Sequence, residues 1–270
     1  MSSIKLGSSS ISNAKLGSTQ VSQIYKGSNL IWSNATTTTT TTSGPSLVSG
    51  YKVYFDIGNS SSYPGSGTTV TNLGSAGSAS NGTISGGTYS SSNGGILNLT
   101  HAGLDKITYT TAISASFTTQ AFAKNNFSNT SWGTGGGYYG GIPNIRGNDG
   151  VIITGNVDAN TQTLAILWAG SSANVPSGNF VYPANIGIFH SYAYTSNGTN
   201  EHKMYLDTNS PATSTNTYTR GNSSNLTSYI NYDTPNNGAQ DISFMAYLQY
   251  DRVLSSAEIA QNYAFFSSRF

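Results

Sequence analysis

Eight aspartates, two glutamates and three histidines are the side chains in this 270-residue chain that could move a proton or hold a metal. Cleaving a glycosidic bond takes two carboxyl groups flanking that bond. The glutamates do not offer such a pair. Glu258 stands three residues after Ser255, the spacing of a helix capping box, and Glu201 lies in a polar stretch beside His202. Asp56 and Asp207 close strand-like runs, where aspartate commonly caps a turn, and Asp241 and Asp251 bracket another. A carboxylate pair brought together only by the fold stays open. His101, His190 and His202 are scattered, without the spacing of a metal site. His190 lies within an apolar run and reads as a hydrogen-bonded sheet residue. No Gly-x-Ser-x-Gly elbow is present. Gly135 to Gly140 formally match a dinucleotide fingerprint, but no helix follows to meet a pyrophosphate. The expectation is a chain that is not an enzyme, with no catalytic residue and no metal ligand assigned.

Aromatic residues carry the stronger signal. Trp132, Tyr138 and Tyr139 lie in a glycine-rich stretch that has no room to bury all three locally. Exposed rings stack on sugars or on a partner's apolar surface. The same rings could instead fold back over the domain or pack against a neighbouring subunit. These three are the candidate ligand-binding residues.

The elements that must position such groups are strands. Charged residues are only 8% of the chain, against about 25% in ordinary soluble proteins. Small polar residues fill the gap, and 18 tyrosines accompany them. That is strand and turn chemistry rather than the aromatic-poor, highly charged composition of disorder. A net charge of +1 gives no general attraction to nucleic acid or anionic lipid. No apolar run is long enough to span a membrane, and Met1 to Leu6 lack the apolar core of a signal peptide. Without cysteine there are no disulfides and no thiolate sites.

Three domains of differing character follow one another. In residues 1–33, Gly7, Gly17 and Gly27 are ten apart, each followed by serine, and Ile11, Val21 and Ile31 keep the same spacing. Each unit reads as one short strand and one Gly-Ser turn. Three such units make no deep core alone, so this module is expected to attach to another chain. Leu6, Leu16, Ile24, Tyr25, Ile31 and Trp32 are its candidate attachment residues. Residues 34–48 contain seven consecutive threonines, Thr36 to Thr42, and read as an extended linker or else as a strand bearing a hydroxyl ladder. Residues 49–270 read as many short strands between Gly/Asn/Ser turns, the pattern of a sandwich or jelly roll. Tyr51, Val53 and Phe55 alternate in the first strand. Phe117, Thr119, Ala121 and Ala123 form one face of another. Ile242, Phe244, Ala246 and Leu248 form one face of the last, ahead of a helix that starts at Ser255.

The stretches Tyr54-Phe55-Asp56, Ser62 to Thr69, Asn72 to Ser75, Asn81-Gly82-Thr83, Ser90 to Leu99 and Tyr250 to Ile259 resemble the laminin-G-like, concanavalin A-like jelly rolls of bacteriophage structural proteins. The leader, from Lys15 to Ser28, is similar to short repeats in phage virion proteins. The resemblance implies an all-β jelly-roll sandwich with one short C-terminal helix, behind a small β-repeat module. It implies a non-enzymatic structural protein on the virion surface, a tail fibre or capsid decoration. The N-terminal module would anchor it to other virion proteins, and the jelly roll would meet host-surface glycan. Homo-oligomers, trimers among them, are usual for such fibres. The alternative is a carbohydrate-binding receptor module or a glycan-degrading enzyme. Calcium occurs in some relatives, but no ligand set in this sequence matches theirs, and no cofactor is expected. Neither nucleic acid nor membrane insertion is implied. In such jelly rolls the first and last strands are neighbours, so Tyr51–Asp56 and the closing strand are expected to pair.

Overall fold

The computed structural model describes residues 44–126, 187–214, 223–232 and 239–270, together with the strands at 5–6, 9–10, 14–16, 19–21, 23–26, 29–33, 144–145, 149–157, 162–170 and 182–183. For those separate strands and for residues 214, 223 and 224, the description is of the backbone. The chain forms two compact units, Met1–Gly44 and Pro45–Phe270.

In the first unit each ten-residue repeat coincides with an antiparallel pair of strands. Lys5–Leu6 pairs with Ser9–Ser10, Ala14–Leu16 with Thr19–Val21, and Gln23–Lys26 with Asn29–Ser33. The expected single strand per repeat is therefore corrected to a hairpin. Leu6 and Ser9, Leu16 and Thr19, and Lys26 and Asn29 face each other across the Gly-Ser pairs, and two-residue connections favour glycine. Leu6, Leu16, Tyr25 and Trp32 are all in register with a partner, and Ile24 is opposite Trp32. Ile31 falls at the irregularity in the third pair.

The second unit is a sandwich of two antiparallel eight-stranded sheets with, among the described residues, one α-helix, Ser256–Ser267. One sheet runs Thr88–Ser90, Ile96–Leu99, Ile242–Tyr250, Phe117–Asn125, Phe189–Ser196, His202–Leu206, Ala212–Ser214, with Tyr51–Asp56 also on the closing strand. The other runs Tyr182–Pro183, Gln162–Gly170, Asp149–Val157, Asn144–Ile145, Ser223–Ile230, Lys106–Ile113, Gly82–Ser85, Thr69–Val70. The opening and closing strands pair as expected, Phe55 opposite Tyr247.

The alternation of Lys106–Ile113 shows why these residues make a sheet face. Ile107, Tyr109, Thr111 and Ile113 are buried while their neighbours are not, the period-2 pattern of a strand with one wet side. Between the sheets they meet Phe55, Phe117, Ala121, Tyr194, Phe244 and Tyr247 in one core. Phe55 stands edge-on to Tyr109 with ring centroids 5.3 Å apart.

The closing strand departs from its expected pattern in two ways. All nine residues are buried, because the helix covers the face expected to be wet. Met245, Leu248 and Tyr250 pack there with Phe122, Leu254, Ile259 and Phe266. The inward face also changes parity. Ile242 and Phe244 point into the inter-sheet core, and so does Tyr247, whereas Ala246 and Leu248 face the helix. A register shift opposite Phe122 and Ala123 inserts one residue there, and a bulge of that kind flips every later side chain.

The helix begins with the expected capping box. The Ser255 hydroxyl accepts from the Glu258 amide, and the Glu258 carboxylate accepts from the Ser255 amide at 2.8 Å. Arg252 Nη2 donates to the other carboxylate oxygen at 2.7 Å. The Arg252 guanidinium, followed by the Ser255 amide, pulls the Glu258 pKa from 4.5 down to about 2. The folded state therefore holds this carboxyl ionised more firmly than the unfolded chain does. Its contribution is complete above pH 4.5 and is lost as the pH falls toward about 2. Ser255→Ala is expected to lower stability by about 1 kcal/mol near neutral pH. Unfolding curves at pH 7 check this; in Glu258→Gln, by contrast, the penalty should shrink as the pH falls from 4.5 toward about 2, because only the carboxylate titrates.

Residues 46–48, placed in the linker by the sequence reading, are held by the sandwich. The Ser46 carbonyl accepts from Gln261 Nε2 at 2.9 Å, and the Val48 amide donates to Asn262 Oδ1 at 2.9 Å.

Candidate functional site

A paired aspartate and histidine meet at one end of the helix-covered sheet. Phe189–Ser196 and His202–Leu206 form a hairpin in which Ser196 is opposite His202 and Tyr192 opposite Leu206. The next residue, Asp207, turns left-handed at φ 55°, a conformation that aspartate tolerates better than most. Its amide donates to the Ser191 carbonyl at 2.9 Å, and its Oδ1 accepts from the Ser191 amide at 2.8 Å. Its Oδ2 is 2.7 Å from Nδ1 of His190. Both carboxylate oxygens are thus engaged, and the imidazole is fixed in orientation. An ionised carboxylate only accepts, so Nδ1 is the protonated nitrogen.

His190 is 8% exposed, and its Nε2 is buried without a hydrogen-bond partner. The Tyr192 ring stands edge-on to the imidazole at 6.1 Å. Burial, then the Asp207 charge, push the Tyr192 phenol well above its ordinary pKa, and the same two causes raise Tyr263 on the helix. Across the sheet, Phe189 stacks on Phe270 at 5.7 Å and Tyr263 meets Phe270 edge-on. One strand end therefore gathers an oriented imidazole, a carboxylate and several rings.

The other sequence candidates fall elsewhere. Trp132, Tyr138 and Tyr139 lie outside the described residues. The strand leading toward them, Phe117–Asn125, has Ala123 opposite His190 and Lys124 opposite Phe189, so it ends at the same end of the sheet. The attachment candidates lie on the hairpins of the first unit. Glu258 is a helix cap, as expected, and Glu201 pairs with Lys203 at 2.6 Å. Asp56 does accept from the Gly58 amide as a turn cap, and it also binds Arg269. His202 bonds the Tyr194 hydroxyl at 2.8 Å, and burial holds its pKa below the usual imidazole range. Among the described residues no group of three or more His, Asp or Glu side chains is placed to hold a metal ion.

The His190–Asp207 pair was missed because each residue was read alone. The signal lies in the hairpin register. Carrying the Ser196–His202 pairing along the strands puts Asp207 opposite Ser191, next to His190.

The architecture is that of an all-β, jelly-roll-like sandwich with a short C-terminal helix, as the sequence suggested. No protein-family model and no curated protein sequence matches the chain. Solved structures do resemble it. The Trypanosoma rangeli sialidase is similar with a TM-score of 0.57 and 12% identity, over 82% of this chain and 34% of that one. Domain 4 of AbnA, a GH43 extracellular arabinanase from Geobacillus stearothermophilus in complex with arabinotriose, has a TM-score of 0.55 and 12% identity, over 79% of this chain and 98% of that one. The HCR/D W1238A mutant has a TM-score of 0.54 and 12% identity, over 79% and 50%. The chain spans about a third of the length of the sialidases it matches. At this identity the likeness concerns the fold. It nevertheless corrects the expectation that the chain is not an enzyme. The same sandwich occurs within a sialidase chain and as a domain of an arabinanase, so sparse carboxylates and a jelly roll do not set this chain apart from glycan-processing proteins.

Proposed function

We propose that the Pro45–Phe270 sandwich is a carbohydrate-recognition unit, used either as a glycan-binding module or within glycan processing. The observation that carries this reading is the match to nearly the whole of an arabinanase domain that was solved with arabinotriose. The unpartnered Nε2 of His190 agrees with it, since a polar group left unpaired suits a hydroxylated ligand. The aromatic residues Trp132, Tyr138 and Tyr139 belong to the same reading through their composition. Tyr138→Ala and Tyr139→Ala are expected to reduce binding to a glycan array several-fold while leaving the melting temperature unchanged. Binding equal to that of the unaltered chain would remove these tyrosines from the site.

A second reading, a phage virion protein anchored by its N-terminus, is favoured by the three hairpins that follow the ten-residue repeat. In that setting glycan recognition serves attachment to a host. Deleting residues 1–44 and assaying the protein in purified particles tests the anchor: loss from particles supports it, and undiminished incorporation refutes it.

A further inference from the structure

Building on the carbohydrate-recognition reading, we propose that His190 Nε2 is the hydrogen-bond acceptor for a hydroxyl group of a neutral saccharide. Asp207 is its positioning residue and discriminates against acidic sugars.

Three observations carry this. The first is the orphaned atom. A buried polar group is costly to leave without a partner, and His190 Nε2 is such a group. The second is its chemistry. Asp207 Oδ2 accepts a hydrogen bond from Nδ1 at 2.7 Å, while Oδ1 accepts from the Ser191 amide at 2.8 Å. That contact selects, for the neutral ring, the tautomer whose Nε2 bears a lone pair and accepts. A ligand atom that completes the site must donate, and a sugar hydroxyl does. The left-handed backbone at Asp207 maintains this arrangement at a conformational cost, as functional positions often do.

The third observation is position at the sheet edge. Pairing with the next strand stops at Tyr192 and Leu206. Among the described residues, no strand pairs with Phe189 or His190 on that edge. The chain is at the surface two residues before His190, where Ile188 is 51% exposed.

The charge decides the class of sugar. The Asp207 carboxylate is hydrogen-bonded to the accepting ring itself. A ligand carboxylate brought to Nε2 would meet like charge in a site poor in water, whereas a neutral saccharide carries no such penalty.

Calorimetric titration of the full chain tests this, using a panel of neutral oligosaccharides that includes arabinotriose and, in parallel, N-acetylneuraminic acid. The unaltered chain is expected to bind a neutral member more tightly than the acid. His190→Phe keeps the ring shape and removes the acceptor. Affinity for the neutral ligand should fall about tenfold, the worth of a hydrogen bond lost from a buried site, with the melting temperature within about 3 °C of the original. Asp207→Asn keeps a residue suited to the left-handed backbone but offers a single accepting oxygen to the Ser191 amide and His190 Nδ1 together. It should weaken neutral binding several-fold and narrow the gap to the acidic sugar. Neutral binding by His190→Phe within twofold of the unaltered chain would overturn the role of Nε2 while leaving the carbohydrate reading in place. Tighter binding of N-acetylneuraminic acid by the unaltered chain would overturn the role of Asp207. Should His190→Phe not fold, an unaltered preference in Asp207→Asn would still contradict the proposal. Absence of any binding by the unaltered chain would overturn both readings.

Discussion

Arg269→Ala is expected to lower the unfolding free energy of the sandwich by about 3–5 kcal/mol, the cost of stranding a buried charge. Arg269 Nη1 donates to Asp56 Oδ1 at 2.8 Å, and the two side chains are 18% and 7% exposed. The Asp56 carboxylate also accepts from the Tyr54 hydroxyl at 3.0 Å and the Gly58 amide at 2.9 Å. The rest of the guanidinium serves the chain crossing next to it. Nε donates to the Asn93 carbonyl at 3.2 Å, and Nη2 donates to the Gly95 carbonyl at 3.0 Å. Asn93 returns a bond from Nδ2 to the Arg269 carbonyl at 2.8 Å. Gly58 and Gly95 pass so closely that a Cβ on either would collide with backbone of the other segment.

Removing the guanidinium therefore leaves the buried Asp56 carboxyl without its cation and the carbonyls of Asn93, Gly94 and Gly95 short of a donor. Denaturant unfolding followed by intrinsic fluorescence should show the loss, and the melting temperature should drop by about 6–20 °C. Arg269→Lys should recover only part of this, since an ammonium lacks the planar fork that serves several acceptors at once. Adding Asp56→Asn to Arg269→Ala should cost less than the two changes added separately, because the stranded charge is then gone. A change below about 1 kcal/mol for Arg269→Ala would mean that water already shares the site.

Asn262→Ala is expected to cost about 3 kcal/mol or more, because three buried partners lose their bonds together. Asn262 is fully buried between helix and sheet. Its Nδ2 donates to Gln120 Oε1 at 2.9 Å and to the Tyr250 hydroxyl at 3.1 Å, and its Oδ1 accepts from the Val48 amide. The Tyr250 hydroxyl donates onward to the Val48 carbonyl at 3.0 Å, and burial pushes that phenol up to about 12. Gln120 Nε2 continues the network to Ser191 Oγ at 2.8 Å and to the Ile259 carbonyl. Such a network rewards completeness, and one missing member leaves the others unpaired at low dielectric. Hydrogen exchange distinguishes this role from simple packing. The Val48 amide should lose most of its protection in Asn262→Ala, whereas a purely apolar role would leave it as protected as its neighbours.

These two clusters show what the sequence could and could not disclose. Local patterns were legible. Ser255 and Glu258 are three residues apart, and their chemistry is complete at that spacing. Phe117, Thr119, Ala121 and Ala123 alternate along one strand, and Phe117, Ala121 and Ala123 do lie together in the core between the sheets. The bulge near Met245 was not legible, since one extra residue in a run of apolar side chains leaves no mark in composition. It moved Ala246 and Leu248 from the expected core to the helix side and brought Gln249 inward, where Nε2 bonds Thr111 Oγ1 at 3.1 Å. Long-range polar pairs were hidden for a different reason. Asp56 looks like a turn cap until Arg269 arrives from 213 residues away. Asn262 and Gln120 look like surface residues until helix and sheet close over them. Asp207 and His190 are only 17 residues apart, yet their meeting depends on hairpin register, which neither residue announces by itself.

Glycan recognition is the central claim, and calorimetric titration of the intact chain with neutral oligosaccharides, arabinotriose among them, tests it most directly. The account predicts saturable binding at one site per chain, weakened about tenfold by His190→Phe. Heats no larger than dilution for every sugar, from a chain shown to be folded by its unfolding transition, would contradict it.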